Sequence, residues 1–302
     1  MKNKLLLVVV VVLSMMLIMT MDKEEKLISN PKIKTETIQV KNNETGKIES
    51  KELEEYVIGV VAAEMPASFS FEALKAQAIA SRTYAYYKMK HASGNYDIIA
   101  DVSNQAYINE DQMKEKWQSD FQTYYEKIKK AVSETKNEIM TYDGEVIESF
   151  YFAMSNGYTE NVSAVFNEEL PYLTSVESKW DNSSLNNYEV KTTFTKEEFC
   201  NKLEISCSKI IVSDQQYDDT GRTKEITING KNFSGVQFRS ILNLRSTDFE
   251  LQIDDDTITI KTEGYGHGVG MSQYGANGMA KEGHTCYEIL NYYYKDIEIK
   301  KI

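Results

Sequence analysis

Apolar residues fill almost every position from Leu5 to Met21, broken only by Ser14 and Thr20; Lys2 and Lys4 precede the run and Asp22, Lys23, Glu24 and Glu25 follow it. As a helix this run spans about 25 Å, close to the roughly 30 Å of a bilayer core. Met19, Thr20 and Met21 supply no small-residue cleavage pattern, so residues 1–21 are expected to be an uncleaved anchor, with a removed signal as the alternative. Positive-inside logic keeps Lys2 and Lys4 in the cytosol and places the rest of the chain outside it. Residues 22–50, polar with Pro31 and no sustained apolar period, read as a juxtamembrane linker, and a folded domain is expected over 51–302.

Beyond the linker the apolar period alternates between helical and extended. Phe71, Leu74, Ala78, Ala85 and Met89 fall at helical spacing, with Ser70 placed to cap the first turn. Met113, Trp117, Phe121, Tyr124, Tyr125, Ile128 and Val132 form a broad stripe that predicts one helix between Asp111 and Lys136. The period then becomes two over Glu138–Met154, around Asp143-Gly144, which predicts a tight hairpin. Thr195-x-x-Glu198 is a capping box for a short helix. Glu225–Asn229, turning at Asn229-Gly230, and Thr257–Thr262 read as strands. Gly264 to Gly278 reads as a loop or bent strand, and Tyr287–Tyr294 as an amphipathic helix. The fold class these elements imply is α+β: a single extracytoplasmic domain of interleaved helices and antiparallel strands or hairpins, behind one N-terminal transmembrane helix.

Composition narrows the function more than the fold. The 302 residues carry 46 Asp and Glu against 34 Lys and Arg, a formal charge of −12. Removing residues 1–21 takes away two lysines and no acid, leaving −14 on the remainder. Such a balance argues against nucleic acid as the main partner, because affinity there comes from clustered cations. Three His and three Cys leave little material for a zinc module or multi-histidine centre. Outside the cytosol Cys200 and Cys207 are close enough in sequence to bridge, leaving Cys286 over; otherwise all three are small buried hydrophobes.

Candidate chemistry begins at Glu64, in VVAAEMP. If its neighbours pack as they read, the carboxyl is desolvated and its pKa rises, as suits a general acid; a Glu facing water fits the local pattern equally. Lys75 and Arg82, seven apart on one helix, share a face that would hold an anion or merely meet solvent. His267 lies in Gly264-Tyr265-Gly266-His267-Gly268-Val269-Gly270, whose alternating glycines permit close backbone approach and would leave the imidazole accessible; a hydrogen-bonded structural His is the alternative. The segment lacks the Lys-Ser/Thr of a phosphate loop. Ser155-Asn156-Gly157-Tyr158-Thr159-Glu160 is by itself a turn signal.

Four stretches taken together carry a family resemblance: LEEYVIGVVAAEMPASFSFEALKAQAIASRTYAYY, SNGYTEN, GRTKEITING with FRSILNL, and GYGHGVGMSQYGANGMAKEG. They resemble the stage II sporulation protein D family from about Leu53 to Tyr294. The resemblance implies a membrane-anchored, single-pass lytic transglycosylase that cleaves peptidoglycan glycan strands during forespore engulfment. Its site would face the space between the mother-cell and forespore membranes. It implies Glu64 as the catalytic acid and places Lys75, Gln77, Ser81, Arg82, Gln105, Tyr107, Ser155, Asn156, Gly157, Thr159, His267, Ser272, Gln273 and Tyr274 near the substrate. Implied partners are a sporulation amidase (protein P) and a multi-spanning membrane protein (protein M), with no cofactor. Some relatives carry a metal-binding His/Cys pair just before a Gln-x-Tyr, where this chain has Ser103-Asn104-Gln105-Ala106-Tyr107, and Phe152 stands where relatives often have His; no metal is therefore expected. The family also resembles amidase enhancers, so a peptidoglycan-binding activator of an amidase is the second reading. A purely structural glycan binder using the 20 Tyr is the third. In an acidic domain, the cleft itself is expected to be less negative than the rest of the surface.

Overall fold

The structure, a computed structural model, describes residues 36–101, 103–166, 168–181 and 187–302. The expected anchor at 1–21 lies outside them; among the described residues no helix is long and apolar enough to cross a membrane. The folded unit starts at Thr37, so residues 37–50 are not linker. Thr37–Lys41 and Ile48–Glu52 form an antiparallel hairpin, with Ile38 and Val40 buried, and Thr37–Lys41 also pairs parallel with Ile98–Ile99. Only two inward-facing apolar residues mark that first strand, too few to stand out from a polar stretch.

Helix Phe71–His91 runs through the first core. Its residues from Ala73 to Ala85 are buried nearly all round, because its many alanines let other elements approach from every side. Around it pack helices Leu53–Glu64, Phe121–Glu134, Gln273–Lys281 and Cys286–Tyr293 and strand Glu138–Tyr142. Ser70 occupies the N-cap, but its side chain makes no cap bond; its backbone N–H donates to Asn277 Oδ1 at 2.8 Å. The expected single helix over 111–136 is two, Glu110–Trp117 and Phe121–Glu134. The backbone turns at Gln118 (φ +46°) and so brings the Trp117 ring against Tyr124.

The Asp143-Gly144 turn forms with both residues at positive φ, joining Glu138–Tyr142 to Glu145–Val146. The second strand ends there rather than reaching Met154. Tyr151–Phe152 instead pairs parallel with Met271–Ser272, which joins the SNG segment to the Gly-His-Gly segment. Most strand pairing is antiparallel, these two short parallel pairs excepted.

A second core sits in the lobe between Glu189 and Glu263. Phe199, Ile226, Ile228, Phe238, Phe249, Ile258 and Ile260 are packed between two three-stranded antiparallel sheets and helices Lys196–Leu203 and Gly235–Leu242. The Thr195 capping box forms as expected, and Thr223–Ile228 turns at Asn229-Gly230. Cys200 and Cys207 are bridged, with their Cα atoms 5.7 Å apart, and Cys286 is free and buried.

The glycine-rich stretch is a loop only as far as Gly270. Gln273–Lys281 is helical, against expectation, and Gly275 and Gly278 serve there as close-packing positions against Tyr293 and Trp180.

Candidate active site

Glu64 is the last residue of helix Leu53–Glu64. Pro66 disfavours helical backbone at Met65, which is extended (φ −121°, ψ 137°), so the helix stops with the carboxyl at its rim. Glu64 thus stands at the negative end of the helix dipole, a position that disfavours its ionised form. Burial raises its pKa; the Ala106 N–H, which donates to Oε1 at 2.9 Å, the Gln273 side-chain amide and the Lys116 charge oppose that rise without cancelling it. Lys116 is drawn in by the same helix end, donating to the Ala62 carbonyl at 2.9 Å.

A polar network lies beneath this carboxyl. Gln105 is buried, donating to Ser81 O (3.1 Å) and the Tyr151 hydroxyl (2.9 Å) and accepting from the Tyr56 hydroxyl (3.2 Å). Burial first, and the nearby Glu64 second, push the Tyr151 phenol well above its ordinary range. Gln77 donates to Ser81 Oγ and accepts from Gln273 Nε2. Gln77, Ser81 and Gln105 thus fix the groups around Glu64.

The Gly-His-Gly segment closes the next wall. At Gly266 (φ +121°) a Cβ would lie 2.7 Å from that of Phe152, and at Gly270 (φ +79°) it would fall on the Phe150 carbonyl, so only glycine permits this approach. The His267 ring is not freely accessible as the glycines suggested. It is packed among Phe150, Phe152 and Phe166 at centroid distances of 6.0, 5.8 and 5.4 Å. Its Nδ1 accepts from the Val269 N–H at 3.1 Å, which leaves the proton of the neutral ring on Nε2. Burial, with Arg239 and Arg222 nearby, lowers its pKa to about 4, so the imidazole is neutral at physiological pH.

These walls enclose a cleft of about 670 Å³ whose lining includes Glu64, Asn104, Tyr151, Tyr265, His267 and Gln273. Helix Gly235–Leu242 and the residues after it supply Arg239, Asn243, Leu244 and Arg245 to the same cleft. Among its described lining residues Glu64 is the sole carboxyl. Two clefts of similar size lack this combination: about 700 Å³ beside Glu160, Asp218 and Asp219, and about 760 Å³ beside Phe69, Trp180 and Tyr274.

Not every expected site residue reaches the cleft. Arg82 is fully buried, its guanidinium donating to both Glu54 carboxylate oxygens (2.9 and 2.7 Å) and to the Glu138 and Val132 carbonyls. Lys75 pairs with Glu72 and Glu134. Neither lines the cleft, because both face neighbouring elements rather than solvent. Tyr107 stacks on Tyr56 under Gly59, and Tyr274 packs edge-on against Phe69. Ser155 and Ser272 donate to the buried Asp181 carboxylate (2.7 and 2.8 Å), and Ser272 Oγ also accepts from Gly275 N at the start of the Gln273 helix. Gly157 N donates to Ser155 Oγ, and Thr159 exchanges bonds with Val176. Asn156 donates to Thr220 O and Asp248 Oδ2, clamping the turn to the lobe. Ser155, Asn156, Gly157, Thr159 and Ser272 thus build the frame behind the site. Ser103 hydrogen-bonds Asp101, and Phe152 belongs to the aromatic wall around His267.

The cations that do line the cleft, Arg239 and Arg245, were missed by the sequence reading along with Tyr151 and Tyr265. Their one signal was position: Arg239 lies inside FRSILNL and Arg245 directly follows it in an acid-rich chain. A cleft less acidic than the chain as a whole is present in the lining, but with these cations rather than Lys75 and Arg82.

A sequence profile described as "Stage II sporulation protein" matches residues 41–142. Stage II sporulation protein D of Bacillus subtilis is 43% identical over 275 residues, covering 88% of this chain and 79% of that protein. Its counterpart in Bacillus amyloliquefaciens is 41% identical with the same coverage. A protein of B. subtilis named "Amidase enhancer" is 26% identical over 78% of this chain and 39% of its own length.

Proposed function

From the premise that the chain belongs to the stage II sporulation protein D family, we propose that it is a peptidoglycan lytic transglycosylase with Glu64 as acid and base. The observation that carries this reading is one carboxyl of raised pKa in a cleft whose described lining holds no second. Hydrolysis of a glycoside ordinarily uses two carboxyl groups, one as acid and one to activate water or attack the sugar. A single carboxyl suffices when the nucleophile belongs to the substrate. Protonated Glu64 gives its proton to the glycosidic oxygen between N-acetylmuramic acid and N-acetylglucosamine as the C1–O bond breaks. The muramyl 6-hydroxyl then bonds to C1 and returns its proton to the Glu64 carboxylate. The product is a 1,6-anhydromuramyl end, water is not consumed, and the intramolecular attack gains effective molarity.

Gln273 and the Ala106 N–H orient the carboxyl, while Tyr151 and neutral His267 line the cleft beside it. The reading extends to an extracytoplasmic site held at the membrane by residues 1–21, in which glycan cleavage serves forespore engulfment. The Cys200–Cys207 bridge suits an oxidising compartment. An association with a cell-wall amidase, protein P, and with the membrane protein M completes it.

The test is Glu64→Gln on purified glycan strands, with mass spectrometry of the products. A loss of roughly 100-fold or more in anhydro ends is expected from removing the general acid. Likeness to an amidase enhancer favours one other reading, a peptidoglycan-binding activator. If a partner amidase is accelerated equally by wild type and Glu64→Gln while neither cleaves glycan, that second reading holds.

A further inference from the structure

The chain's arginines are Arg82, Arg222, Arg239 and Arg245. Arg82 is paired with Glu54 and Arg222 with Glu160. Arg239 and Arg245 line the Glu64 cleft, and among the described residues neither has a carboxylate partner. Arg239 spends its Nε on the Leu244 carbonyl at 3.3 Å. The Nε of Arg245 is buried with no hydrogen-bond partner among the described residues, and its guanidinium lies over the Tyr265 ring at 4.1 Å from the centroid. Two guanidinium groups without a carboxylate partner among the described residues, in a chain of charge −12, are a departure that packing does not account for. A guanidinium held over an aromatic ring loses rotational freedom, which suits it to receive a carboxylate through two parallel hydrogen bonds.

We infer that Arg239 and Arg245 form a carboxylate-recognition subsite that fixes the register of a cell-wall glycan against Glu64. The inference rests on the glycan-cleaving reading above and adds to it the substrate group that the lobe wall holds. Glycan strands offer that group from two sources: the lactyl carboxyl of muramic acid where no peptide is attached, and the carboxyls of the stem peptides.

Binding is measured with the full chain carrying Glu64→Gln, so that no turnover intervenes. The strands are peptide-free glycan, the same glycan with its lactyl carboxyls reduced to alcohols, and peptide-bearing glycan with and without amidation of its carboxyls. Adding Arg245→Gln or Arg239→Gln is expected to weaken binding about tenfold or more on strands that carry the recognised carboxylate, the worth of a charge-assisted hydrogen bond. The same variants should leave binding to the neutralised strand unchanged. Arg245→Lys, which keeps the charge but not the planar fork, should fall between. Sensitivity to lactyl reduction assigns the lactyl group, and sensitivity to amidation assigns the stem peptide. Arginine variants that melt like the parent and bind every strand as the parent does overturn the subsite. So do variants that lose the same factor on charged and neutralised strands. If the intact protein makes no anhydro ends yet binding still depends on the carboxylate and the arginines, the cleavage reading fails and the subsite stands.

Discussion

Glu64 and Arg82 are charged residues in neighbouring apolar helices, and the difference between their fates lies in what each meets at its own position. Arg82 is surrounded by acceptors and ends as a structural cation whose removal strands Glu54 beside buried carbonyls. Arg82→Ala is therefore expected to cost about 3–5 kcal/mol of stability, read from denaturant midpoints, without any specific effect on glycan binding. Glu64 meets fewer partners than its burial requires, which is why its pKa is raised. A carboxyl whose folded pKa is raised contributes stability that is fully present below its ordinary value near 4.5 and is lost as pH rises through the elevated one. Glu64→Gln, neutral at every pH, should gain stability relative to wild type as pH rises through that window. Parallel stability curves for the two would contradict the assignment. VVAAEMP allowed a desolvated Glu64 and a water-facing one equally, and the fold decides for burial. The occupation of Arg82 was not legible in the sequence, since its Glu54, Val132 and Glu138 partners lie 28 and more positions away.

Elements were legible where the signal was local. The Asp143-Gly144 turn and the Thr195 capping box are written in adjacent residues and form as read. The break at Gln118 was hidden because the apolar stripe continues across it at helical spacing, and the choice of two helices is made by how Trp117 meets Tyr124. Likewise Gly275 and Gly278 suggested a loop, because glycine marks both flexible backbone and close packing. A Cβ at Gly275 would fall on the Tyr293 hydroxyl and lie 2.5 Å from Ser178 Oγ. Gly275→Ala is expected to destabilise by about 1–3 kcal/mol through overpacking, although alanine favours the helix itself. It should also reduce glycan cleavage, because the same helix begins at Gln273. A thermal midpoint equal to wild type would show that Gly275 is there for flexibility instead.

At the scale of the molecule, two cores meet at one cleft: the helical core carries the acid and the lobe carries the arginines. The sequence showed no boundary between them because the chain contributes to the helical core both before Glu189 and after Glu263, and the family resemblance, not the periodicity, brought Glu64 and Gln273 together. The lobe is stitched by Cys200–Cys207, which closes a short ring. Replacing both with Ser should lower unfolding stability by about 2.5 kcal/mol, by the loop-entropy argument. Stability equal to that of the oxidised wild type would contradict it. The arrangement as a whole stands or falls on what the single acid in that cleft produces. Purified glycan strands digested by wild type should carry 1,6-anhydromuramyl ends by mass spectrometry, and Glu64→Gln should make at least about 100-fold fewer; reducing ends from the wild type, or undiminished anhydro ends from the Gln variant, would contradict the account.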